Sequence, residues 1–263
     1  MAASIFIVGL IKSGSTLLNR LMRPLSEAAG FHYNAPANDV RRKGLELREA
    51  QVTFDPVGQA YGGFRHLPWP LPDFAANRTV LLVRDPRDAL TSLYFSVAYS
   101  HGPPGSTDTT LLLRKFEARR AKARAMTIDA FVLDEVGAFA ALAEKTIDHI
   151  PAHRLYRYED VVFDKLPWTL DMLDYFGLSV PERRVAAIVG RNDVRPSEED
   201  PQAHVRRVTP GDHREKLKPQ TIAALDHRLA PLLRRFGYVG STAAEGRWPP
   251  LSVKRRDAPK ALQ

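Results

Sequence analysis

The first eighteen residues constrain this chain more than any other stretch. Ile5-Phe6-Ile7-Val8 is a continuous apolar run, broken at Lys12-Ser13-Gly14-Ser15-Thr16, and a helical pattern begins at once with Leu17 and Leu18. The pattern predicts a buried strand, a tight loop and a helix. The first turn of such a helix presents backbone N–H groups without intrahelical partners, at the positive end of the helix dipole. Gly14 allows close backbone approach, Lys12 adds a full positive charge, and Ser13, Ser15 and Thr16 add hydroxyl donors. Together they form a phosphate cradle, although the same residue types also serve ordinary helix capping. Gly9 and Gly14 have the separation of the nucleotide-binding P-loop, but Ser15 stands where that loop places lysine, and Lys12 lies two residues before Gly14.

A second unit of this kind follows. Thr79-Val80-Leu81-Leu82-Val83 reads as a strand buried on both faces, ending in Arg84-Asp85-Pro86-Arg87-Asp88 and a helical pattern through Leu90, Leu93, Tyr94 and Val97. Pro86 suits the first turn of that helix. A third strand is expected over Arg154–Tyr158. Helices are expected at about Ser15–Ala29, Thr109–Arg124, Val136–His149, a stretch ending at Gly177, 181–191 and Gln220–Arg235, with Pro24 as a kink or early stop in the first. Residues 61–72 read as an extended, proline-stiffened segment and 193–213 as loop. Strands alternating with helices predict an α/β, P-loop-like three-layer fold, a mostly parallel central sheet flanked by helices, with ligand at the strands' carboxyl ends. Residues 1–240 are read as one domain and 241–263 as a basic, Pro-rich tail.

The net charge of +8 favours acidic partners such as a phosphorylated nucleotide, but charge alone does not choose among nucleic acid, membrane surface and nucleotide. The absence of cysteine excludes disulfides, thiolate metal sites and cysteine nucleophiles. No run approaches the ~20 apolar residues of a membrane span, so a soluble, cytoplasmic protein without stable membrane insertion is expected.

Four stretches together resemble the sulfotransferases that use 3′-phosphoadenosine 5′-phosphosulfate (PAPS), particularly the cytosolic type. Lys12-Ser13-Gly14-Ser15-Thr16 is similar to that family's 5′-phosphosulfate loop, and Val83-Arg84-Asp85-Pro86-Arg87-Asp88, with Ser92 eight residues after Arg84, to its 3′-phosphate motif. Tyr158-Glu159-Asp160 resembles the segment whose tyrosine lines the adenine pocket. Arg206-Arg207-Val208-Thr209-Pro210-Gly211-Asp212-His213 resembles the late loop over the cofactor, with Val208 in place of glycine and His213 in place of tryptophan. The resemblance implies that Lys12, Ser13, Gly14, Ser15, Thr16, Leu17, Arg84, Ser92, Tyr158, Arg206 and Arg207 bind PAPS and its product 3′-phosphoadenosine 5′-phosphate (PAP). Lys12, Ser92 and a general base would act in catalysis.

His66 is the candidate base, because Arg65-His66-Leu67-Pro68 resembles the family's His-Leu-Pro stretch, with Phe64 where a lysine usually lies. A carboxylate, Asp39 or Glu46, is the rival. No metal is implied. The acceptor would be a small molecule, lipid or carbohydrate bearing a hydroxyl or amine, held by residues 31–70 and 97–115 with Phe31, Tyr33, Tyr61 and Trp69. Two other readings remain open. A P-loop ATP-dependent kinase would need a metal-binding aspartate, for which Asp85 is the candidate. A non-catalytic nucleotide- or nucleic-acid-binding module would need interleaved aromatics and cations, which the chain lacks outside the site motifs. Nucleic acid is therefore not an expected partner.

Overall fold

A computed structural model describes residues 2–42, 52–64, 67, 71–100, 102, 110–150, 153–203 and 205–238. Its centre is a five-stranded sheet: β1 (Ile5–Gly9), β2 (His32–Asn34), β3 (Gln59–Phe64), β4 (Arg78–Val83) and β5 (Arg154–Arg157). Their spatial order is β2-β3-β1-β4-β5, with every neighbouring pair parallel.

The apolar runs of β1 and β4 are buried on both faces, and alternate residues feed two separate cores. Phe6, Val8, Leu81 and Val83 pack on one side, while Ile5, Ile7, Val80 and Leu82 pack on the other. The second side is covered by α1 (Ser15–Ala28), α7 (Lys165–Phe176) and α8 (Glu182–Asn192) through residues such as Leu21, Met172 and Ile188. The first is covered by α3 (Pro86–Phe95), α5 (Ile128–Asp148), α10 (Pro219–Arg228) and α11 (Ala230–Arg235) through Leu90, Phe131, Leu225 and Leu232. Three layers result, as expected.

Several boundaries differ from the sequence reading for identifiable reasons. Residues 59–64 form a central strand although Gly62-Gly63 interrupts its apolar pattern, and β2 is too short to carry a pattern of its own. Helix α1 runs through Pro24 without stopping. Helix α5 begins eight residues earlier than expected, because Thr127 caps it by accepting from the Ala130 amide, and Phe131 and Val132 are buried. The expected 220–235 helix is two helices broken at Leu229, where Pro231 cannot supply an interior amide. Tyr158 does not end β5; it opens the short helix α6 (Tyr158–Val161).

Helix α3 passes directly into a π-helical turn, Ser96–Ser100. The helix that follows, α4 (Thr110–Ala125), ties itself to that turn: Arg120 and Arg124 donate to the carbonyls of Val97 at 3.4 Å and Ala98 at 2.8 Å. No helix of the described residues is long and apolar enough to cross a membrane.

Candidate nucleotide site at the switch point of the sheet

β1 and β4 are neighbours, but the chain leaves them in opposite directions, β1 toward β2 and β4 toward β5. Loops diverging at such a point leave a crevice outside the strands' carboxyl ends. Here the crevice is a cavity of about 670 Å³, lined from the β1 side by Lys12, Gly14, Ser15, Thr16 and Leu17 and from the β4 side by Arg84 and Ser92. Tyr158, Arg206 and Arg207 also line it, and beyond them the walls are largely apolar, with Leu93, Phe95, Val97 and Val205 among them. Ten of the residues singled out from sequence therefore face one space, which lies within the ~300–1,000 Å³ usual for ligand sites.

The β1 loop is shaped by backbone constraints. Gly14 takes φ +92° as the N-cap of α1, and a Cβ there would lie 2.9 Å from the Tyr158 ring. Because glycine has no side chain with which to cap, the first-turn amides of Ser15, Thr16 and Leu17 keep no side-chain acceptor from that position. Lys12 has φ +60°, the only positive φ at a non-glycine residue among those described, at a cost of about 1–2 kcal/mol. Strain of this kind clusters at functional sites. Ser13 departs from expectation. It does not line the cavity: its hydroxyl and amide both donate to the Leu10 carbonyl, at 2.6 and 3.1 Å, so it holds the loop's shape and leaves ligand contact to its neighbours.

On the β4 side, Arg84 is buried, and its guanidinium lies 4.8 Å over the Tyr158 ring. Its Nε is buried without a hydrogen-bond partner. An orphaned donor of this strength, in the wall of a cavity, suits an anionic acceptor atom such as a phosphate oxygen. Arg84 also pairs with Asp88 one turn into α3 at 3.7 Å. Asp85, the candidate metal ligand of the kinase reading, is otherwise engaged: it caps α3 and accepts from the Arg87 amide at 2.9 Å and side chain at 2.6 Å.

Asp88 was not marked by any sequence motif of its own, yet it organises the site. It is fully buried and accepts from the amides of Gly211 and His213, at 2.7 and 2.9 Å, and from His213 Nδ1 at 2.5 Å. Burial opposes its charge, but these donors and Arg84 outweigh it and hold the carboxyl well below the usual range. The late loop is thereby fastened to α3 through its short closing helix, α9 (Asp212–Lys216). His213, standing where the family has tryptophan, is part of this fastening.

Arg206 is buried, pairs with Glu199 and Asp212, and lies 4.1 Å over the Phe95 ring; Arg207 pairs with Glu215 at 2.7 Å. Tyr158 reaches the same loop, donating its hydroxyl to the Val208 carbonyl at 3.1 Å. Both residues flanking Tyr158 are gripped by the far end of the chain. Arg157, fully buried, donates to the Gly237 carbonyl at 3.1 Å, and Glu159 accepts from the Tyr238 hydroxyl at 2.6 Å and the Asp85 amide at 3.0 Å. Burial pushes the Glu159 carboxyl up to about 7, against the pull of Arg84. Neither contact is visible in sequence, since each spans roughly eighty residues.

His66, Glu46 and Trp69 lie outside the described residues. Asp39 is exposed on α2 (Pro36–Arg42) and lines a smaller cavity beside Thr16. Of the other aromatics expected around an acceptor, Tyr33 lines that smaller cavity. Tyr61 does not line the cavity: it is buried and stacks on Phe6, while Phe31 packs against the α1 core, because the apolar sheet faces claim both rings. Among the described residues, no group of three or more His, Asp or Glu side chains is placed to hold a metal.

No family model matches the sequence, and no curated protein matches it either. Solved structures do resemble the fold. Mouse sulfotransferase SULT7A1 complexed with PAP superposes with a TM-score of 0.59 over 89% of this chain and 84% of that one, at 14% identity. Retinol dehydratase in complex with retinol and PAP gives 0.48 over 95% and 84% at 15% identity, and a sulfotransferase from Alicyclobacillus acidocaldarius gives 0.42 over 90% and 96% at 15%. The likeness to SULT7A1, joined to the all-parallel sheet and its strand order, establishes that this chain has the sulfotransferase fold.

Proposed function

We propose that this protein is a PAPS-dependent sulfotransferase that moves a sulfuryl group to a hydroxyl or amine of a small-molecule, lipid or carbohydrate acceptor. One observation carries the reading: the loops after β1 and β4, each suited to a phosphate, open on a single cavity. The structural neighbours solved with PAP support the choice of nucleotide. PAPS supplies the activated sulfuryl group and a phosphate leaving group.

In this reading the first-turn amides of α1 and the hydroxyls of Ser15 and Thr16 hold the 5′-phosphate, while Arg84 and Ser92 hold the 3′-phosphate. Lys12 neutralises charge on the departing 5′-phosphate oxygen. Tyr158 borders the adenine, and Arg206 and Arg207 close over the nucleotide from the late loop. The acceptor oxygen bonds sulfur in line as the bridging sulfur–oxygen bond breaks, its electron pair going to the 5′-phosphate. The acceptor proton passes to His66. A cytoplasmic location and a domain spanning 1–240 belong to the same proposal.

Nucleotide choice tests it. PAP without Mg²⁺ is expected to raise the melting temperature, and ATP with Mg²⁺ is not; the reverse pattern contradicts the reading. Lys12→Ala is expected to lower turnover far more than PAP affinity, and His66→Ala to abolish transfer while PAP still binds. An active His66 variant moves the base to a carboxylate.

A further inference from the structure

Helix α3 and the π-helical turn after it present three serines to the main cavity: Ser92, Ser96 and Ser100. Each stands four residues from the next. Four residues overshoot an α-helical turn by about 40°, whereas a π-helical turn holds more than four, so the second step swings back. The π-helical turn thus keeps Ser100 on the side that carries Ser92. Arg120 and Arg124 hold the turn in place through the Val97 and Ala98 carbonyls.

Ser96 is the exceptional member. Other buried hydroxyls inside helices are spent on the carbonyl four residues back: Ser26 on Met22, Thr91 on Arg87, Thr146 on Leu142 and Thr169 on Lys165, at 2.6 to 2.9 Å. Ser96 is also buried, at 8% exposure, yet its hydroxyl has no partner among the described residues and lines the cavity. A buried hydroxyl in that state is satisfied only when a ligand supplies the partner. The surroundings are apolar. Leu93, Phe95 and Val97 line the cavity from the same segment, and Ile11 and Val205 line it from the β1 loop and the late loop. Arg119, which also lines the cavity, is paired with Glu135 at 3.0 Å, and Arg20 is exposed to solvent.

From this placement we infer that Ser96 selects the acceptor: an uncharged, largely apolar hydroxyl compound bearing a second hydrogen-bonding group, which Ser96 binds while the first is sulfated. The inference rests on the sulfotransferase reading and adds to it one residue and one requirement on the acceptor. Ser96 lies a full turn beyond Ser92, about 6 Å farther along α3 from the 3′-phosphate arm, whereas Lys12 and the sulfated end belong to the β1 loop. The group beside Ser96 is therefore not the one that meets the sulfuryl group. A serine hydroxyl both donates and accepts, so a hydroxyl or a carbonyl matches it, and a wholly apolar occupant strands it. The transfer itself is unchanged: the first hydroxyl oxygen bonds sulfur, the bridging bond breaks with its electron pair going to the 5′-phosphate, and the hydroxyl proton goes to the base.

The test uses the full chain. PAP stabilisation is measured first, then transfer of radiolabelled sulfate from PAPS to 2-naphthol, 2,6-dihydroxynaphthalene, 4-phenylphenol and 4,4′-biphenol. The two frames set different spacings between the reacting hydroxyl and the second one. In at least one frame the diol is expected to exceed its mono-ol by about fivefold or more in kcat/KM, beyond the factor of about two for a second reactive hydroxyl. Ser96→Ala is expected to collapse that ratio to about two, with PAP stabilisation retained. Diols no better than that factor, an undiminished ratio in the Ala variant, or loss of PAP stabilisation in it overturns the inference. So does a PAP-binding protein that transfers to none of the four compounds. Failure of the wild type to bind PAP overturns the sulfotransferase reading beneath it.

Discussion

Asp88 receives the imidazole Nδ1–H of His213 at 2.5 Å across 125 positions of sequence, and the same carboxylate pairs with Arg84. One buried charge thus joins the arm that would hold the 3′-phosphate to the loop that would close over it. Its donors are two backbone amides, an imidazole and a guanidinium. Removing the charge leaves them without their shared acceptor.

Asp88→Ala is therefore expected to destabilise the protein by about 3–5 kcal/mol, the usual cost of breaking a buried ionic cluster. Asp88→Asn keeps the shape and should retain the fold at a lower melting temperature. In the folded Asn variant, calorimetry should show weakened PAP binding. Undiminished PAP affinity there would separate the late loop from nucleotide binding.

Arg84→Lys keeps the charge and discards the fork. PAP affinity is expected to fall by about ten- to a hundredfold, equivalent to the ~1.5–3 kcal/mol of hydrogen bonding to a charged group, while affinity for the nucleotide lacking its 3′-phosphate barely changes. Equal losses for the two nucleotides would place the 3′-phosphate elsewhere.

Gly14→Ala meets two obstacles, a positive φ and the Tyr158 ring 2.9 Å away. It is expected to abolish PAP binding. The double variant Gly14→Ala/Tyr158→Ala removes the collision but not the backbone strain, so stability should recover only in part. Melting curves of the three proteins separate these two costs.

Glu159 gives stability a definite slope with pH. Its carboxyl is raised from an ordinary 4.5 to about 7 by burial, so the folded state binds its proton more tightly than the unfolded state. That contribution is fully present below pH 4.5 and is lost as pH rises through 7. At about 1.4 kcal/mol per unit, it amounts to about 3 kcal/mol. Urea unfolding of the wild type should show this decline, and Glu159→Gln should flatten it. Parallel slopes would show that Glu159 titrates normally.

Much of the site was legible because its parts lie beside strong local signals. Lys12, Gly14, Ser15, Thr16 and Arg84 sit at the ends of β1 and β4, whose apolar runs admit no other reading. Ser13 misled, since a turn serine looks the same whether its hydroxyl meets a ligand or its own loop. β3 was hidden by Gly62-Gly63, which strand propensity opposes, although a Cβ at 62 would lie 2.2 Å from the Tyr33 hydroxyl oxygen. Asp88 reaches the late loop, and Glu159 the amide of Asp85 and the hydroxyl of Tyr238, across 74 to 125 residues, and no window of sequence contains both members of such a pair.

The attachment of Gly237 and Tyr238 to the two neighbours of Tyr158 has a consequence for the chain's limits. A protease clipping just before Gly237 would touch no cavity residue, yet it would strip partners from a buried guanidinium and a buried carboxyl together. The shortest competent fragment must therefore run through Tyr238, and trimming two residues there should disarm a pocket built almost eighty positions upstream.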